Sequence, residues 1–148
     1  MMRPVHADRW RAIAIIARLE LRDRRRAFAA EKAKGGEAAS LATKDGAAWA
    51  AIAADWTYYT THVRPKAPDV TADDKLGAID RELQRYDRLA NSGGLTPRER
   101  RRRAFLEAMR WHAEPRAFGI EFCVAVTIEA RRRRATNDNF HTNERNAA

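Results

Sequence analysis

The sequence predicts an all-α fold, a single helical domain of four to five helices. Apolar residues recur at 3.6-residue spacing in four segments, Pro and Gly cluster between those segments, and only one stretch alternates with the period of a strand. At 148 residues, with 45% hydrophobic and 33% charged side chains, the chain is long enough for a core and too apolar to be disordered throughout.

The first helix is expected over residues 8–33. Trp10, Ile13, Ala14, Ala17, Leu21 and Phe28 share one side, and Gly35-Gly36 ends it. Arg11, Arg18, Arg22 and Arg25 gather on a different face. A second helix is expected over 38–63, with Leu41, Ala48, Trp49, Ile52, Trp56, Tyr59 and Val63 as its stripe. Its first turns are open to two readings, because Gly46 interrupts the pattern and Asp45 could cap a later start. Arg64-Pro65-Lys66-Ala67-Pro68 reads as an extended linker, taken as 64–70.

A third helix over 72–91 carries a short heptad seam, Leu76, Ile79, Leu83, Tyr86 and Ala90, behind a Thr71/Asp74 cap. That seam suits an antiparallel helix pair or a homodimer through 76–90. A turn over 91–95 leads to a fourth helix over 97–113, with Thr96, Pro97 and Glu99 as its start signals. Residues 120–129 alternate, so a short strand competes with a buried helix there; the lack of a turn residue after Gly119 favours the helix. The polar tail 136–148 reads as disordered, which sets the expected helical domain at 1–135.

Charge is the loudest signal. The net charge is +9, and arginine outnumbers lysine 24 to 5. A GC-rich genome would account for that ratio, but not for the clustering. Residues 1–33 and 92–118 hold most of the excess. Arginine makes bidentate contacts to phosphate and stays charged, so the runs point to a polyanion. The expected contacts are Arg18, Arg22 and Arg25 on the first helix, then Arg98, Arg100, Arg101, Arg102 and Arg103 at the start of the fourth. Arg110 and Trp111 lie further along that helix, the tryptophan as a base-stacking side chain, and Arg131, Arg132, Arg133 and Arg134 precede the tail. For each run the competing reading is a solvated or acid-paired helix face.

Leu95-Thr96-Pro97-Arg98-Glu99-Arg100 resembles the opening of the helix-turn-helix of LuxR-type regulators and of sigma-factor region 4. The likeness covers six residues. The family pattern continues with a short turn and a recognition helix, whereas Glu114-Pro115-Arg116 and the alternating segment follow here.

No pattern for catalysis, cofactor or metal accompanies the charge. His6, His62, His112 and His141 are scattered, and no Gly-rich phosphate loop or nucleophile elbow occurs. Tyr58-Tyr59 with His62 fits a core stripe better than a nucleophile and base, and His112 reads as a core histidine. Cys123 is the only cysteine, which excludes an internal disulfide; its apolar neighbours predict burial. No apolar stretch reaches the length of a membrane span, and a cytoplasmic location is expected. The function these residues suggest is a non-enzymatic nucleic-acid-binding accessory or regulatory protein, with DNA ahead of RNA. The alternative is a helical interaction module that docks on an acidic partner protein.

Overall fold

The described residues form five helices: α1 (Trp10–Lys34), α2 (Gly36–Thr61), α3 (Ala72–Gly93), α4 (Pro97–Ala113) and α5 (Ile120–Ala147). The computed structural model describes residues 2–115 and 119–147, with side chains through Asn139. The chain divides into two compact units, Met1–Pro115 and Arg116–Ala148. That division falls earlier than the boundary at 135 expected from composition.

In the first unit, each helix packs on its neighbours in sequence and α4 returns to α1, which closes a ring of four. The most extensive contact is α1 on α2. A single residue, Gly35, separates them, with φ of 72°, a left-handed value that favours glycine. Gly46 lies inside α2 rather than before it. A Cβ there would come within 2.9 Å of the Phe28 ring, so the bare backbone lets α1 approach. Asp45 is therefore not a cap; it turns to Arg81 of α3.

The other ends follow the expected caps. Thr71 accepts from the Asp74 amide at 3.1 Å. Thr96 and Glu99 form a complete capping box: the Glu99 amide donates to Thr96 Oγ1 at 3.2 Å, and the Thr96 amide to Glu99 Oε2 at 2.8 Å. The Thr96 amide, and with it the Thr96 hydroxyl at 2.8 Å, donates to the Glu99 carboxylate, which favours its ionised form and lowers its pKa. α2 stops at His62, whose left-handed backbone returns its amide to the Tyr58 carbonyl.

Ile13, Ala14 and Ala17 of α1, Trp49, Ile52 and Trp56 of α2, Ile79 and Tyr86 of α3, and Phe105, Leu106 and Met109 of α4 are all buried. Ile79 and Tyr86 of the heptad seam are covered within a single chain. Leu76 and Leu83 are half-buried and Ala90 is exposed.

Four carboxylates are buried among these groups: Glu20, Asp45, Asp55 and Glu82. Burying an unpaired carboxylate is costly, so each is matched. Arg102 of α4 donates to Glu20 at 2.5 Å and to Asp23 at 2.9 Å. Arg24 of α1 pairs with Glu82 of α3, which also receives Arg85 at 2.7 Å. Lys75 and Arg64 both bond Asp55, Lys75 at 2.7 Å. Burial pushes the Arg24 guanidinium below its ordinary value, and Glu20 and Asp45 oppose that. For Arg102 burial also works against the charge, yet Glu20 and Asp23 outweigh it and hold the group above its ordinary value.

Segment 120–129 is helix, not strand. A lone strand would leave its backbone unpaired, whereas α5 satisfies its own amides. Helical spacing puts Ile120 and Val124 on one buried face and turns Cys123 outward, so the expected burial of this thiol is corrected to exposure. Most of the tail expected from Thr136 lies beyond the described side chains.

Three outcomes follow. Glu82→Ala leaves Arg24 only the Glu20 carboxylate, 3.9 Å away, and should cost about 3 kcal/mol in urea unfolding, while Arg24→Met with Glu82→Leu should recover most of the loss. Gly46→Val should cost about 1–3 kcal/mol by driving a branched side chain into Phe28. Asp23 gives a pH dependence. Burial raises its carboxyl pKa, but bonds from Arg102 and Arg22 outweigh this and leave it lowered. As the medium acidifies, the unfolded chain therefore binds the proton first. The stabilisation is complete above the ordinary carboxylate range and disappears as pH falls through the lowered native value. Arg102→Gln should make the acid limb of a stability-versus-pH curve shallower; an unchanged limb would remove Asp23 from the account.

Candidate nucleic-acid interface

The folded chain sorts the arginines into two groups. Arg102, Arg103 and Arg110 are engaged by acids. Arg102 is only 13% exposed, on Glu20 and Asp23. Arg103 bonds Asp87 of α3 at 2.9 Å and Glu107 at 2.6 Å. Arg110 bonds Asp80 of α3 and Glu114, both at 2.5 Å. These partners raise the guanidinium pKa values: for Arg103, Asp87 and Glu107 outweigh burial, and for Arg110 the Asp80 hydrogen bond is the largest influence. The run 98–103 is thus not one patch. One residue per 100° of helix sends Arg102 toward α1 and Arg103 toward α3, where carboxylates wait.

Arg98, Arg100 and Arg101 remain exposed at the α4 N-terminus. Arg100 donates to the Leu95 carbonyl at 2.7 Å, which anchors it beside the cap. Arg101 lies 6.0 Å from the centre of the Phe105 ring, whose stacked neighbour is His6 at 4.4 Å. Trp111 is half-buried. It meets His112 edge-on at 4.8 Å, and the Arg3 guanidinium lies 5.8 Å from its ring centre. A ring so covered on the protein side is not a bare stacking platform.

The α1 residues are presented differently. Arg18, Arg22 and Arg25 are exposed, as is Arg11 one stretch earlier. Their spacing of seven, four and three residues places them along one side of the helix, over about 21 Å. Arg22 contacts Asp23 at 3.2 Å and keeps about half of its side chain in solvent. Arg18 and Arg25 have no acidic partner among the described residues. Of the two acids in this part of α1, Glu20 is buried on Arg102, whereas Asp23 is shared between Arg102 and Arg22 and stays 41% exposed. The outer α1 face is therefore cationic from Arg11 to Arg26, with exposed Ile15 as its one large apolar side chain.

In the second unit, Arg131, Arg132, Arg133 and Arg134 are exposed on α5, and Arg133 donates to Glu129 at 2.9 Å one turn back. They form a helical basic segment.

Of the remaining candidates, Tyr59 is a core group, and Tyr58 and His112 are half-buried. Tyr59 is buried against Trp56 at 5.3 Å, and Tyr58 lies under the Arg64 guanidinium at 4.7 Å. His112 Nε2 sits 2.7 Å from the Ala7 carbonyl oxygen, so that nitrogen carries the proton and donates. Among the described residues no group of three or more His, Cys, Asp or Glu side chains could hold a metal ion, and no helix is long and apolar enough to cross a membrane.

Sequence reasoning missed the acids. Glu20 occupies an apolar-face position between Ala17 and Arg24, and Glu82 follows Ala78 and Ile79 at helical spacing. A carboxylate at a core position was the available signal that some arginines turn inward. After Pro97–Ala113 the backbone at Glu114 becomes extended ahead of Pro115, so the six residues that resemble a helix-turn-helix opening are not continued by a second helix across a short turn. Comparison with known proteins finds no matching family model, no similar curated protein and no similar solved structure.

Proposed function

We propose that the chain is a small, non-enzymatic nucleic-acid-binding protein of accessory or regulatory type, which holds a phosphate backbone on the outer face of α1. The observation that carries this reading is the burial of Glu20 on Arg102, with Asp23 shared between Arg102 and Arg22. It leaves Arg11, Arg18 and Arg25 without an acidic partner among the described residues, in one row with the half-exposed Arg22 on a rigid helix. Exposed Arg98, Arg100 and Arg101, at a helix N-terminus, form a second cationic group. The basic segment of α5 is a third.

Such a row would neutralise phosphates without reading bases, so sequence preference is weak. Duplex DNA offers regularly spaced phosphates to a straight helix and is the first partner to test. The acidic-partner alternative loses much of its support with the seam on α3, since Ile79 and Tyr86 are covered inside the chain.

Binding to a fluorescent 30-base-pair duplex and to the matching single strand, at a series of salt concentrations, tests the reading. Four phosphate contacts predict a slope of log K against log salt near −3.6 for the duplex, about −0.9 for each contact. Arg18→Gln with Arg22→Gln and Arg25→Gln should flatten that slope by about 2.7 units. Arg103→Gln should leave the slope unchanged, because that side chain is held by Asp87 and Glu107. No binding to either probe at low salt sinks the proposal.

A further inference from the structure

A groove of about 510 Å³ runs between α1 and α2. This is within the size range of small-molecule sites, which combine apolar walls with a few polar groups that fix orientation. Its origin is a difference in side-chain size. α2 presents Ala42, Gly46, Ala47 and Ala50 on one face, while α1 opposes them with Leu21 and Phe28. The missing volume is left as a cleft, and Pro68 of the linker adds a wall from outside the helix pair.

The charged groups lining the groove are Arg25 and Lys32, both cations. Neither has a partner among the described residues. They lie seven residues apart, about 10 Å along α1, so their long side chains can meet over the stretch between them. No carboxylate lines the cleft; of the acids that adjoin its lining residues in sequence, Glu20 is bonded to Arg102, Asp45 to Arg81 on α3 and Glu31 to Lys34, and Asp69 is exposed beside Pro68. The Thr43 hydroxyl donates to its own helix at the Ala39 carbonyl and so offers a ligand only lone pairs. A cleft with an apolar floor and cations alone at its rim is complementary to an amphipathic anion.

We propose that this groove binds a medium-chain fatty-acid anion, with its carboxylate on Arg25 and Lys32 and its alkyl chain along Leu21, Phe28, Ala47 and Ala50. The assignment does not rest on nucleic-acid binding, and its test contains no nucleic acid.

The probe is dodecanoate, titrated calorimetrically into the full chain below the concentration at which it forms micelles. Saturable binding of one equivalent is expected, and dodecyltrimethylammonium, which has the same tail and the opposite charge, should not bind. Arg25→Gln with Lys32→Gln, both surface changes, should weaken dodecanoate at least about ten-fold, since bonds to charged groups are the stronger class. Ala47→Leu fills the cleft and should abolish binding with the helical circular dichroism retained. Should that variant unfold, Ala50→Val is the milder filling and should weaken binding. A basic protein also attracts anionic amphiphiles without a site. Many weak equivalents, binding unaltered by both filled variants, or equal uptake of the cationic probe would each overturn the proposal.

Discussion

The first unit depends on two glutamates at core positions. Glu20 and Glu82 lie on the inner faces of α1 and α3, where an apolar residue would be expected, and each is closed off by arginines from other helices. Arg102 ties α4 to α1, and Arg24 ties α1 to α3, two helices that are not neighbours in the ring. Such pairs contribute less to net stability than well-packed hydrocarbon would. Their effect is directional. A leucine at either position would tolerate a rotated or shifted helix, whereas a guanidinium and a carboxylate at bonding distance tolerate few registers. We therefore assign the buried pairs chiefly to fixing which helix faces which.

The seams divide along the same line. α2 meets α3 through Asp45 with Arg81 and Asp55 with Lys75, and α3 meets α4 through Asp87 with Arg103 and Asp80 with Arg110. α1 meets α2 mainly by small residues and Phe28 against Gly46. Small side chains allow close backbones but fill space poorly between larger neighbours. That seam carries the groove, and the close approach and the unfilled space both come from the alanines and glycine of α2.

How much was legible in the sequence follows from the range of the interactions involved. Helix periodicity and caps are local, so α1 to α4 and the Thr96/Glu99 box could be read directly. The start of α2 could not. Gly46 looks like a breaker until its neighbour is known, and that neighbour, Phe28, lies 18 residues away on another helix. The alternation from Ile120 to Glu129 has the period of a strand, but a strand needs a partner, and no second alternating segment exists. The basic runs were legible as charge and illegible as surface. Arg101 and Arg102 are adjacent and chemically identical, yet one is exposed and the other 13% exposed. The difference comes from Glu20, 82 residues earlier in the chain, and a run of like residues carries no information about that distance.

The two groups of arginine also differ in how they answer to salt, and this separates structure from binding within one residue type. Mobile ions screen exposed charges over about 8–10 Å at ordinary ionic strength and reach partly buried pairs far less. Arg18 and Arg25 face solvent, so their attraction to any polyanion falls steeply as salt rises. Arg102 sits between Glu20 and Asp23 with little solvent between, and its contribution to the fold persists. A protein whose arginines were all solubilising surface would lose neither fold nor partner in salt, having no partner. One whose arginines were all structural would bind nothing at low salt. The arrangement found here, with Glu20 buried on Arg102 and Arg18 and Arg25 left exposed, gives one residue type both a salt-resistant structural role and a salt-sensitive surface.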